Sequence, residues 1–147
     1  MRFLILQEAI ASLLALVFVY ASVSKLIDFS NFNLQLHQSP FLNPLAWWIA
    51  RLIPSTELII AGLLIIKTSR LQGLFASVFL MSLFTAYLIA MLHFSDYLPC
   101  TCGGLLEVLS WDTHVVFNIV LLILSITGIV LFTPAKPAIN GTTGSVE

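Results

Sequence analysis

Two cysteines, Cys100 and Cys102, stand one residue apart in Pro99-Cys100-Thr101-Cys102-Gly103-Gly104, and they are the only cysteines in the chain. Thiols so placed can close a disulfide whose small ring restricts its dihedrals. Departure from relaxed geometry stores strain and makes such a bond easier to reduce. Pro99 stiffens one side, while Gly103 and Gly104 permit a turn and let a partner chain come close. Two readings fit this spacing. One is exchange with another protein's sulfur through a mixed disulfide; the other is a bridge that only closes the loop.

His93 and His114 bracket the cysteines. Either imidazole can lower a thiol pKa or accept its proton. Together the four residues also form a two-sulfur, two-nitrogen set. Its tight Cys-x-Cys spacing suits soft Cu(I) better than zinc, which usually has about 2–4 residues between its cysteines. Both histidines as plain helix caps is the blander alternative. Glu57 follows Pro54 within one apolar run. Its carboxyl could donate to the backbone carbonyl the proline frees, reach a neighbouring helix, or meet Arg51 or Lys25 as an ion. Proton movement or a polar cofactor pocket is its functional reading, and helix-to-helix adhesion its structural one. Asn118 lies four residues after His114, so both share a helix face, expected to point inward. There is no Cys-x-x-Cys, phosphate loop, His-Glu-x-x-His or second cysteine pair.

The elements that must hold these groups follow from composition. Of 147 residues, 59% are hydrophobic and 9% charged, with a mean hydropathy of +1.04. Soluble domains carry about 25% charged residues, so this chain belongs in a bilayer. A net charge of -1 offers no basic field for nucleic acid. Four apolar runs, over residues 3–23, 45–66, 71–92 and 112–132, are each long enough for a helix of about 20 residues to cross the hydrocarbon. Lipid offers no partner for exposed backbone groups, so the expected fold is all-α, a four-transmembrane-helix bundle in one domain, residues 1–132. The tail, residues 133–147, is rich in Pro, Gly, Thr and Ala and is expected to be flexible. The first run has a rival reading as a signal peptide, with small residues at Tyr20-Ala21-Ser22-Val23-Ser24. Glu8 and a core longer than the usual stretch of about 7–15 residues argue for its retention.

Between the first two runs, Lys25 to Pro44 alternates loosely and fixes no helix face; it suits a segment in the headgroup region. Trp47 and Trp48 anchor the second run at the interface. The short Lys67-Thr68-Ser69-Arg70 turn makes spans two and three antiparallel neighbours. Arg2, Lys67, Arg70 and Lys136 fall on one side, against Lys25 and Arg51 on the other. The positive-inside rule then puts both termini in the cytoplasm of a bacterial plasma membrane. The Cys-x-Cys loop lies outside, where disulfides persist.

In order along the chain, Lys25-Leu-Ile-Asp28-Phe29 with Phe32, Ser39-Pro-Phe-Leu42, Pro54-Ser-Thr-Glu57-Leu58, Phe84-Thr-Ala-Tyr87, Pro99-Cys-Thr-Cys-Gly-Gly104 and Ser110-Trp111-Asp-Thr-His114 leading to Asn118 resemble the MauE branch of the MauE/DoxX family of redox-associated membrane proteins. The likeness covers roughly residues 20–130. It implies a four-helix membrane fold broadly similar to disulfide-forming and vitamin K epoxide reductase-like bundles. It also implies a part in disulfide formation or maturation of exported proteins. The family is named for methylamine utilisation, where its member supports maturation of a disulfide-rich dehydrogenase subunit; that substrate is not carried over. By resemblance Cys100 and Cys102 would be the redox pair, with His114, Trp111 and Glu57 in support. The leading expectation is a thiol–disulfide exchange protein whose partner is an exported client or a thioredoxin-like protein. No cofactor is assigned, and a quinone near the fourth span is the candidate acceptor. The rival expectations are an accessory subunit of a larger membrane complex with a structural disulfide, and Cu(I) or zinc held by Cys100, Cys102, His93 and His114.

Overall fold

The computed structural model describes residues 2–39, 41–94 and 111–132, with side chains from 4 onward and, in the last segment, from 113. Among these residues every regular element is helical. Helices α1 (Arg2–Ile27), α3 (Ala46–Ile65), α4 (Arg70–Phe94) and α5 (Trp111–Phe132) are the long ones; α2 (Phe29–Gln38) and a 3-10 turn at Asn43–Leu45 lie between α1 and α3. All four long helices have the length and apolar composition to cross a membrane. The tail, residues 133–147, lies outside the described residues.

Lipid tails are as apolar as leucine, so helices in a bilayer are held by close fit and by polar contacts rather than by exclusion of water. The inward stripes recur with the helical period. On α1 the buried positions are Ile10, Ala11, Leu14, Ala15, Phe18, Ser22 and Lys25; on α3 they are Ala46, Ala50, Pro54, Glu57, Ile60, Ala61 and Leu64. α5 buries His114, Asn118, Leu121, Ser125 and Gly128 in the same rhythm. Helix α1 packs on α3, α3 on α4, α4 on α5, and α5 back on α1, which closes a four-membered ring. Ile10, Leu14, Phe18, Ile60, Leu64, Leu74, Leu80, Met81 and Leu121 fill its centre.

Two local features depart from the sequence reading. The first helix continues past Val23 to Ile27, which carries Lys25 into the bundle instead of leaving it in a loop. The segment after it is a true helix, with Phe32 and Leu36 buried one turn apart. Asp28 starts α2 and accepts a 2.8 Å bond from Asn31 Nδ2, its negative charge beside the helix N-terminus. Phe32 and Leu36 join Ala46 and Ala50 of α3 in a second, smaller apolar cluster. The alternation looked irregular because only one narrow face of this short helix meets protein. Nearby, the Arg51 guanidinium lies 3.8 Å from the Trp47 ring centroid and 5.4 Å from that of Phe29, which ties α2 to the start of α3.

Small residues set the closest approach. A Cβ on Gly73 would stand 2.9 Å from the Leu64 backbone nitrogen and 3.1 Å from the Leu63 carbonyl carbon, whereas one on Gly62 would meet nothing within 4 Å. Gly62 is therefore no part of the tight contact. Gly73→Val should destabilise the bundle by about 1–3 kcal/mol, while Gly62→Ala should cost nothing. Thermal unfolding of the two variants in detergent checks this; equal midpoints would contradict the contact.

Candidate functional site

Glu57 reaches across the α1–α3 seam to Lys25. The Lys25 Nζ donates to Glu57 Oε1 at 2.8 Å and Oε2 at 3.1 Å, and more weakly to the Ala21 carbonyl oxygen at 3.3 Å. Relative exposure is 4% for Lys25 and 1% for Glu57, so neither charge has water to lean on. One helical turn away, Ser22 Oγ donates at 2.8 Å to the Pro54 carbonyl oxygen. Pro54 disturbs the local hydrogen-bond ladder, and Ser55 and Thr56 bond back to the Arg51 and Leu52 carbonyls at 2.8 and 2.7 Å. Of the partners expected for Glu57, the fold selects Lys25; Arg51 instead lies exposed against its aromatic rings.

The inward face of α5 carries the second polar feature. His114 and Asn118 are 4% and 5% exposed, and His114 Nε2 and Asn118 Nδ2 are buried without a hydrogen-bond partner among the described residues. Two such groups on one face are a ready polar contact for whatever approaches that end of the bundle.

The structure thus joins Glu57 to Lys25 and buries His114 with Asn118. His93 sits exposed in the last turn of α4. Trp111 opens α5, its side chain outside the description. Cys100 and Cys102 lie outside the described residues, so the redox pair and the four-residue metal set stand as sequence expectations. Among the described residues no three His, Cys, Asp or Glu side chains gather as metal ligands. Sequence reasoning named Lys25 beside Arg51 as a possible partner of Glu57 but left it in the segment after the first run, whereas it lies buried on α1. The signal was present: Ala11, Leu14 or Ala15, Phe18 and Ser22 continue with helical spacing to position 25.

Beside the ion pair a partly open cavity of about 260 Å³ lies between α2, α3 and α4. Lys25, Phe32, Leu36, Leu42, Ile49, Ile53, Leu83, Phe84, Tyr87 and Leu88 line it, and nearly all of that surface is apolar. Among the described residues, none of α5 lines it. At one edge Ser39 Oγ and Tyr87 Oη are 2.9 Å apart, a hydrogen bond that fixes the end of α2 to α4. At the opposite end of the bundle, exposed Glu8 pairs with Lys67 at 3.1 Å and lies 3.8 Å from Arg70 Nη1.

With this geometry in view, comparison with known proteins gives one match. The model of a family described as methylamine utilisation protein MauE covers residues 4–131, and so includes both partners of the ion pair. No curated protein matches, and no solved structure matches.

The ion pair should behave as a unit. Lys25→Met leaves a carboxyl buried alone and should cost about 3–5 kcal/mol, as should Glu57→Leu, whereas the double variant should recover most of the loss. Thermal stability by fluorescence-detected size exclusion reads the cycle. A double variant as unstable as the two losses added would show the pair to be uncoupled.

Proposed function

The chain belongs to the MauE family, and from that premise we propose that it is a membrane thiol–disulfide exchange protein supporting disulfide formation or maturation of exported proteins. The observation that carries the reading is the lone Cys100–Cys102 pair in the segment that joins α4 to α5 of a four-span protein of this family. In exchange, the thiolate of one cysteine attacks a sulfur of the partner's disulfide. That bond breaks, and a mixed disulfide forms. The second cysteine then attacks the mixed disulfide, closing Cys100–Cys102 and releasing the partner as a dithiol. Run in reverse, the same steps oxidise a client. His93 and His114, at the two helix ends that flank the pair, are the bases that would adjust its thiolate.

The arrangement of charge supports an outward-facing pair. Glu8 bonds to Lys67, so the start of α1 and the α3–α4 turn share one face of the bundle. Lys25 is buried in its ion pair and no longer counts as a loop charge. Arg51 alone then opposes Arg2, Lys67, Arg70 and Lys136. On the positive-inside rule both termini are cytoplasmic and the cysteines lie in an oxidising compartment.

Single-cysteine variants test the reading. In intact cells Cys100→Ser or Cys102→Ser should accumulate a disulfide-linked adduct with an exported thioredoxin-like protein or client, released by reductant and missing from the double variant. If neither variant traps an adduct while the protein still assembles with other membrane subunits, the accessory-subunit reading replaces this one. A membrane-impermeant thiol reagent, applied after mild reduction, should label the pair in whole cells. Labelling confined to permeabilised cells would reverse the orientation.

A further inference from the structure

Among the described side chains, Arg51 is the lysine or arginine that faces no carboxylate: Lys25 pairs with Glu57, and Lys67 and Arg70 lie against Glu8. Asp28, next to Phe29 in the chain, accepts from Asn31 instead. A side chain on a helix leans toward the helix N-terminus. Arg51 does so, its Nη1 donating at 3.3 Å to the Trp47 carbonyl oxygen one turn back. The guanidinium therefore stands near the start of α3, level with Trp47 and Trp48, at the depth where indoles anchor a span among the headgroups.

The cation is held in place there. The ring centroids of Trp47 and Phe29 lie 3.8 Å and 5.4 Å from the guanidinium carbon, and Trp48 braces Trp47 edge-on at 5.0 Å between centroids. The rings attract its charge without using up its N–H groups. Of those donors only the long bond to Trp47 is made among the described residues, and the side chain is exposed. A planar fork of free N–H donors matches a phosphate group. Its unbalanced charge favours a phosphate that brings a net negative charge. Two turns deeper on the same face Leu58 is 41% exposed, with Ile59 beside it at 62%, an apolar track for an acyl chain. A free phosphate ion gains nothing from that track, whereas a lipid phosphate already sits at this depth.

We propose that Arg51, caged by Trp47 and Phe29, binds the phosphate of an anionic phospholipid. Phe29 belongs to α2 and Trp47 to α3, so a lipid that fixes the guanidinium also fastens α2 to the start of α3. The site uses neither cysteine and does not depend on the function proposed above.

The test titrates full-length protein in a neutral maltoside detergent with phosphatidylglycerol and counts retained lipid by native mass spectrometry. One tightly held phosphatidylglycerol is expected. Diacylglycerol with the same chains lacks the phosphate, and phosphatidylcholine balances its phosphate with its own ammonium; both should be retained more weakly. Inorganic phosphate should not displace the lipid. Arg51→Gln should weaken retention about tenfold, Arg51→Lys should restore only part of it, and Lys67→Gln, at an exposed lysine elsewhere, should leave it unchanged. Phosphatidylglycerol should also raise the thermal midpoint of the parent and not that of Arg51→Gln. Retention of diacylglycerol or phosphatidylcholine equal to that of phosphatidylglycerol would overturn the proposal. So would displacement by inorganic phosphate, or a loss in Lys67→Gln as large as in Arg51→Gln. If Arg51→Gln does not fold, Arg51→Lys carries the comparison, and full retention by that variant would equally overturn it.

Discussion

In hydrocarbon an ammonium and a carboxylate have no water to fall back on, and the Lys25–Glu57 pair holds α1 and α3 to one register for that reason. A slide of either helix by one residue would turn a charge toward lipid, a far larger penalty than any loss of van der Waals fit between apolar faces. The Ser22 bond to the Pro54 carbonyl sits one turn away and reinforces the same alignment. Leu14, Phe18, Ile60 and Leu64 then fill the seam around a contact whose position is already fixed.

That register governs the far end of the bundle. With α1 locked to α3, the short connection leaves α2 room to fold back only onto the first turns of α3, where Ala46 and Ala50 are small enough to admit Phe32 and Leu36. The Ser39–Tyr87 bond secures the end of this wedge to α4. A ten-residue helix cannot fill the gap along its whole length, and the cavity is the consequence. Its wall carries one face of the ion pair, so the pair that aligns the helices also sets the polarity of the pocket.

Helix α5 contributes differently. It closes the ring against α1 and α4 through Leu121, Ser125 and Gly128, yet the end nearest the cysteine segment presents His114 and Asn118 inward with polar atoms unpaired among the described residues. Their position in the first turns of α5 puts a buried polar patch at that end of the bundle. Gln7, which bonds to the Leu131 carbonyl oxygen, fastens α1 to the other end of α5.

Much of this was legible residue by residue. The four apolar runs declare spanning helices because backbone groups in lipid must be satisfied within the helix. His114 and Asn118, four residues apart, declare a shared face by the helical period alone. The family likeness rested on short motifs, among them Lys25-Leu-Ile-Asp28 and Pro54-Ser-Thr-Glu57, that the sequence could list only as separate elements. What the linear chain could not say was that these two motifs meet, since nothing local to Glu57 distinguishes Lys25 from Arg51 as its partner. Nor could it show that α2 is a helix, because its buried face exists only against α3, or that a cavity remains between α2, α3 and α4. Spans come from the solvent each segment must satisfy on its own, and so composition and period determine them. Partners and voids come from the relative placement of segments distant in the chain, and only the assembled bundle decides them.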